Sequence, residues 1–84
     1  MDRPIDIYND FEWLFRAESG QWCNNDTCRF INTMDQQHLT NAINLLNRTE
    51  QEVISNTRMT KNDKLVLLVS IESKRAELQA AITR

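Results

Sequence analysis

Residues 33–46 constrain this chain more than any other stretch. Asp35 reads as an N-cap, a carboxylate placed to accept hydrogen bonds from the unpaired amides of a first helical turn. That cap puts Met34 at N′ and Leu39 at N4, the two positions of a hydrophobic staple. Thr33 with Gln36 forms a competing capping box, which leaves the start open by about two residues. Leu39, Ala42, Ile43 and Leu46 then recur at i, i+3, i+4 and i+7, one face of a helix. A long amphipathic helix is therefore fixed near the middle of the chain, and the other elements must cover its apolar side.

The rest of the chain supplies two more helices and a short hairpin. Residues 5–18 read as a first helix, with Asp6 or Asn9 as cap and Ile7, Phe11, Leu14 and Phe15 on one side. Gly20, the single glycine, falls where a C′ residue would stop it. Residues 21–32 change period, with strand-like content around Asn24, Asn25 and Asp26. Trp22, Phe30 or Ile31 would press that hairpin onto the helices, since one hairpin is marginal alone. The second helix runs from near Gln36 to about Asn56, and residues 56–59 make a turn. Thr60 caps a third helix, with Asp63 at N3, that reaches about Ile82. Its expected stripe is Leu65, Leu68, Ile71, Leu78 and Ile82. The expectation is a mainly α single domain, residues 1–84, of three helices with a small β-hairpin between helix 1 and helix 2.

Residues 65–69 of the third helix are apolar all round. A turn apolar on every side is buried on every side. Either the first helix and hairpin cover the second side, or another subunit does, and a symmetric dimer is the default form of self-association.

Charge excludes more than it selects. Net charge is −2, with seven acids to three bases in residues 1–35 and five to seven in residues 36–84. Neither half is the basic footprint that dominates nucleic-acid affinity, so nucleic acid is not an expected partner. No apolar run approaches the ~20 residues that span a bilayer, and the first residues lack a signal peptide's basic start and apolar core. The chain reads as intracellular.

Cys23, Cys28 and His38, with Asp26 or Asp35, invite a zinc reading, but a structural site normally has four strong ligands at tighter spacing. No metal is expected. Cys23 and Cys28 could face each other across the hairpin and form a disulfide, but in a reducing cytoplasm the default is two free thiols. There is no phosphate loop, Gly-rich stretch, nucleophile elbow or carboxylate–histidine metal pattern, so the chain reads as non-enzymatic and without a cofactor.

Two binding readings remain. Trp13, Trp22, Phe30 and the excess apolar surface of the third helix suit a protein-interaction module, because tryptophan is enriched among hot spots. Trp13 equally suits a ring packed against the next segment. Arg29, Arg58, Lys61 and Lys64 suit a small-ligand or nucleotide site, the two lysines lying near a helix N-terminus that favours anions. The ordinary alternative for these four is solvated charge.

Trp22, Met34-Asp35, His38-Leu39, Asn41-Ala42-Ile43 and Leu46, with Arg48 close behind, resemble a pattern in short bacteriophage accessory proteins. Those proteins read as Trp, a polar hairpin, then Met-x-x-x-His-Leu-x-Asn-Ala/Thr-Ile-x-x-Leu. The resemblance covers residues 22–48 and implies a phage-encoded protein of the host cytoplasm. Its partner would be a host protein or a signalling nucleotide.

Overall fold

The structure, a computed structural model, describes residues 6–24 and 27–83. Ile5, Asn25 and Asp26, which the sequence reading assigned to the first helix, the hairpin turn and a metal ligand, lie outside them. In chain order the elements are α1 (Ile7–Asp10), α2 (Glu12–Arg16), β1 (Gln21–Asn24), β2 (Thr27–Phe30), a 3-10 turn (Ile31–Thr33), α3 (Gln36–Ser55) and α4 (Lys61–Ile82). The chain is mainly helical with one two-stranded antiparallel hairpin.

α3 begins where its cap dictates. Asp35 has extended backbone (φ −79°, ψ 172°), and its Oδ1 accepts the His38 N–H at 2.9 Å. Thr33 donates its hydroxyl to the Phe30 carbonyl at 2.7 Å, so it is spent on the preceding turn and does not cap. Met34 and Leu39 are both buried, as a staple requires. At the far end Asn56 Oδ1 accepts from the N–H groups of Arg58 and Met59, closing the turn. Thr60 Oγ1 then accepts the Asp63 N–H at 3.1 Å and starts α4. So short a link makes the two long helices antiparallel neighbours.

Their seam follows a three–four spacing on both sides, Leu39, Ala42, Leu46, Thr49 and Val53 against Leu67, Ile71, Lys74, Leu78 and Ala81. Thr49 satisfies its buried hydroxyl on the Leu45 carbonyl at 2.9 Å. At the rim Arg75 grips Glu50 with two guanidinium nitrogens (3.3 and 3.1 Å) and Asn47 with one (2.9 Å). The hydrogen bond to Glu50 holds the Arg75 guanidinium above its ordinary pKa against burial, helped by the charges of Glu50 and Glu72.

Three expectations are corrected here. Among the described residues there are four α-helices, because the expected first one breaks at Phe11 (φ −118°, ψ 32°) into α1 and α2, and the hairpin follows the second of them. Asp6 caps α1 through the Tyr8 N–H, and Asn9 lies inside it. Asn and Asp are weak helix formers, and helices this short are set by packing, not propensity. α2 stops at Arg16, so Gly20 is not its C′ residue. Gly20 leads into β1 at φ +82°, the left-handed region where glycine is unstrained.

The α4 stripe is also in a different phase. Ile71 and Leu78 are core, but Leu67, Lys74 and Ala81 complete the buried face, while Leu65 is 60% exposed. Residues 65–69 are not covered on the second side: Val69 is 61% and Val66 38% exposed.

The cysteines, expected as thiols, form a disulfide. The register sets Cys23 directly opposite Cys28, with Cα atoms 4.0 Å apart. Gly20–Ile31 is a hydrogen-bonded pair, so alternation makes Cys23–Cys28 one of the close pairs. Trp22, Cys23 and Ile31 are buried, and Phe30 is exposed. The closed loop is short, so the bridge contributes about 2 kcal/mol. Cys28 is exposed and gives a reductant access. Melting oxidised and reduced samples side by side is expected to show a lower transition on reduction, and coincident transitions would refute this.

Lys74 ties the hairpin's approach to α4. Its ammonium donates to the carbonyls of Glu18 (2.9 Å) and Gln21 (2.7 Å) and pairs with Glu77 Oε2 (2.9 Å). Three donors meet three acceptors, which is what a buried ammonium requires. The other Glu77 oxygen accepts the Gly20 N–H. Among the described residues no helix is long and apolar enough to cross a membrane.

Candidate binding cleft

The hairpin has two faces, and one of them looks across at α3. Strand alternation puts Trp22 and Asn24 on the same side as their register partners Arg29 and Thr27. All four line a cleft of about 540 Å³. The opposite wall is one side of α3, where His38, Asn41, Ala42, Leu45 and Arg48 recur at helical spacing, and Met34 also lines the cleft. Six residues of the 22–48 stretch singled out in the sequence, Trp22, Met34, His38, Asn41, Ala42 and Arg48, thus line one site. The pattern's remaining apolar residues Leu39 and Leu46 go to the core, and Ile43 packs against it.

The cleft is cationic over an apolar floor. Among the described residues its lining includes two arginines, Arg29 and Arg48, and no carboxylate. Among the described residues neither arginine has a hydrogen-bond or ion-pair partner. The His38 ring makes no hydrogen bond to the hairpin backbone among the described residues. Its Nδ1 lies 3.6 Å from Asp35 Oδ1, the capping carboxylate. Asn41 Oδ1 accepts from Gln37 Nε2 at 3.0 Å, which leaves the amide N–H groups as the unspent end. On the other side of Arg48 lies a second depression lined by acids, Asp10, Glu12 and Glu52.

The residues singled out in the sequence are dispersed. Trp22 is 6% exposed and Trp13 half-buried, packed edge-on at 6.0 Å between ring centroids. Trp13 thus takes the role of a ring against the next segment. Phe30, on the other hairpin face, is 60% exposed beside a shallow groove with Ala80 and Ala81 of α4. Arg29 is in the cleft, whereas Arg58, Lys61 and Lys64 are at the α3–α4 link, where Lys64 Nζ donates to the Ile54 carbonyl. The four cations do not form one site. His38, Asn41 and Arg48 are the cleft residues that sequence reasoning passed over. Their common helical face was the signal, at three and seven residues' spacing.

A second surface stands apart. Leu65, Val66 and Val69 are exposed on α4, and Val69 borders a groove whose other wall carries Leu14 and Phe15 of α2. The Tyr8 ring meets Phe15 at 5.0 Å and is itself 64% exposed, which extends the apolar band. The disulfide removes both thiolates from any metal site, and no group of three or more ligand side chains gathers among the described residues.

No protein-family model, curated protein or solved structure matches the chain.

Proposed function

We propose that the chain is a non-enzymatic binding protein that docks on another protein through the exposed face of α4. Through its resemblance to phage accessory proteins, we take that partner to be a protein of the bacterial host. The observation that carries the reading is the exposure of Leu65 and Val69, about 60% each, beside Val66. Contiguous apolar surface on a small domain marks interaction sites more often than scattered single residues do. Fully burying a side chain of this size is worth about 1.5–3 kcal/mol, so covering three supplies several kcal/mol toward association. The band from Tyr8 through Phe15 to Val69 gives a partner a surface wider than one helix.

The test compares tagged wild type with Leu65→Glu/Val69→Glu in bacterial lysate. Wild type is expected to retain one host protein stoichiometrically, and the variant to lose it at an unchanged melting temperature, since both positions are exposed. Equal retention by both proteins would reject the face as the docking surface. A wild-type dimer by sedimentation that the variant dissolves would assign the face to a second copy and reject the host-protein reading.

A further inference from the structure

We infer that the cleft between the hairpin and α3 binds a nucleoside 5′-monophosphate, with its phosphate held by Arg29 and Arg48. This concerns a different surface from the α4 face, and either reading can fail alone.

Charge comes first. The two guanidiniums reach the cleft from different elements, one from β2 and one from α3, and neither has a partner among the described residues. The acids among the described residues leave these two arginines unpaired on the same cavity. Asp35, beside the His38 ring, is committed to the His38 N–H as a helix cap. Asp10, Glu12 and Glu52 lie beyond Arg48, so an anion is repelled from that side and directed toward Arg29. A phosphate monoester carries about −1.5 to −2 charges and three acceptor oxygens at neutral pH. That matches two guanidiniums, each able to bind it through two parallel hydrogen bonds. A single carboxylate would leave one arginine unmatched.

Size and floor then argue for an organic body on the phosphate. About 540 Å³ is far more than an inorganic ion fills and lies within the range of small-molecule sites. Met34, Ala42 and Leu45 give the cavity an apolar floor, suited to a flat ring. Asn41, its carbonyl already engaged by Gln37, offers N–H donors to a ring acceptor. The Cys23–Cys28 bridge pins the register, so Arg29 stays on the cleft side of the hairpin.

The experiment is calorimetric titration of the full, disulfide-bonded chain with AMP, CMP, GMP and UMP, and with inorganic phosphate and adenosine as controls. At least one monophosphate is expected to bind saturably, more tightly than either control. Arg29→Gln and Arg48→Gln are each expected to weaken it about tenfold or more, the cost of a lost charge-assisted pair. Lys61→Gln, away from the cleft, is expected to leave it unchanged. Both arginines are exposed and unpartnered, so the variants should fold as wild type, which melting curves check. Absence of saturable binding by all four monophosphates overturns the proposal, as does wild-type affinity in both arginine variants. Inorganic phosphate binding as tightly as the best monophosphate overturns the nucleoside part, and equal binding of adenosine overturns the phosphate part.

Discussion

Lys74→Met is expected to cost roughly 3 kcal/mol or more of folding stability, because it leaves two backbone carbonyls and the partly exposed Glu77 carboxylate without their shared donor. Lys74 is 5% exposed and sits between Ile71 and Leu78 in the seam of α4. Methionine fills its volume but cannot donate. The carbonyls of Glu18 and Gln21 and the Glu77 carboxylate then lose their partner together. In a domain of this size each kcal/mol moves the melting temperature by about 4–8 °C, so a fall of more than about 10 °C is expected. Urea titration with unchanged slope would confirm loss of stability and not of two-state folding. Glu77→Gln is expected to cost less, since an amide oxygen can still accept from Gly20 or Lys74. A loss below about 1 kcal/mol for Lys74→Met would show that the ammonium is not needed there.

The same contact sets an acid dependence. Burial pushes the Glu77 carboxyl up, but the Gly20 N–H and the Lys74 ammonium outweigh it, and the group lies below its ordinary value of 4.5. A carboxyl whose folded pKa is depressed stabilises the fold fully above its unfolded pKa. That contribution is lost as pH falls from about 4.5 through the folded value. The difference in stability between wild type and Glu77→Gln should therefore shrink on acidification through that range.

What could be read from the sequence was local. The Asp35 cap, the Met34–Leu39 staple and the Thr60 cap each need only neighbours within five residues; both caps are formed, and Met34 and Leu39 are both buried. What could not be read was set by contacts far along the chain. The break at Phe11 depends on packing, since no proline or glycine marks it. The disulfide is a different case, a local pair five residues apart whose facing geometry was legible but whose oxidation the compartment argument opposed. The cleft depends on the hairpin facing α3. His38, Asn41 and Arg48 carry no local pattern that marks a shared site, and only Trp22 and Arg29 opposite them make one.

The phase of α4 is the instructive case, and it yields the sharpest contrast in substitutions. Hydropathy favours a lysine outside, and the expected stripe through Leu65, Leu68, Ile71, Leu78 and Ile82 does not include Lys74. The Glu18 and Gln21 carbonyls and Glu77 invert that choice by giving the ammonium a full set of partners. With Lys74 inside, the three–four spacing runs back through Leu67 instead of Leu65. Leu67 is 0% exposed and Leu65 60%. Leu67→Ala is therefore expected to destabilise by roughly 3–5 kcal/mol, the transfer term plus the cavity left in the seam. Leu65→Ala is expected to stay within about 0.5 kcal/mol of wild type, because it removes exposed surface and alanine is the better helix former. Chemical denaturation of the two variants reads both numbers. The reverse order, with Leu65 the costly position, would restore the stripe that hydropathy alone suggests. It would also withdraw the exposed face on which partner docking rests, so one pair of measurements bears on the fold and on the proposed function together.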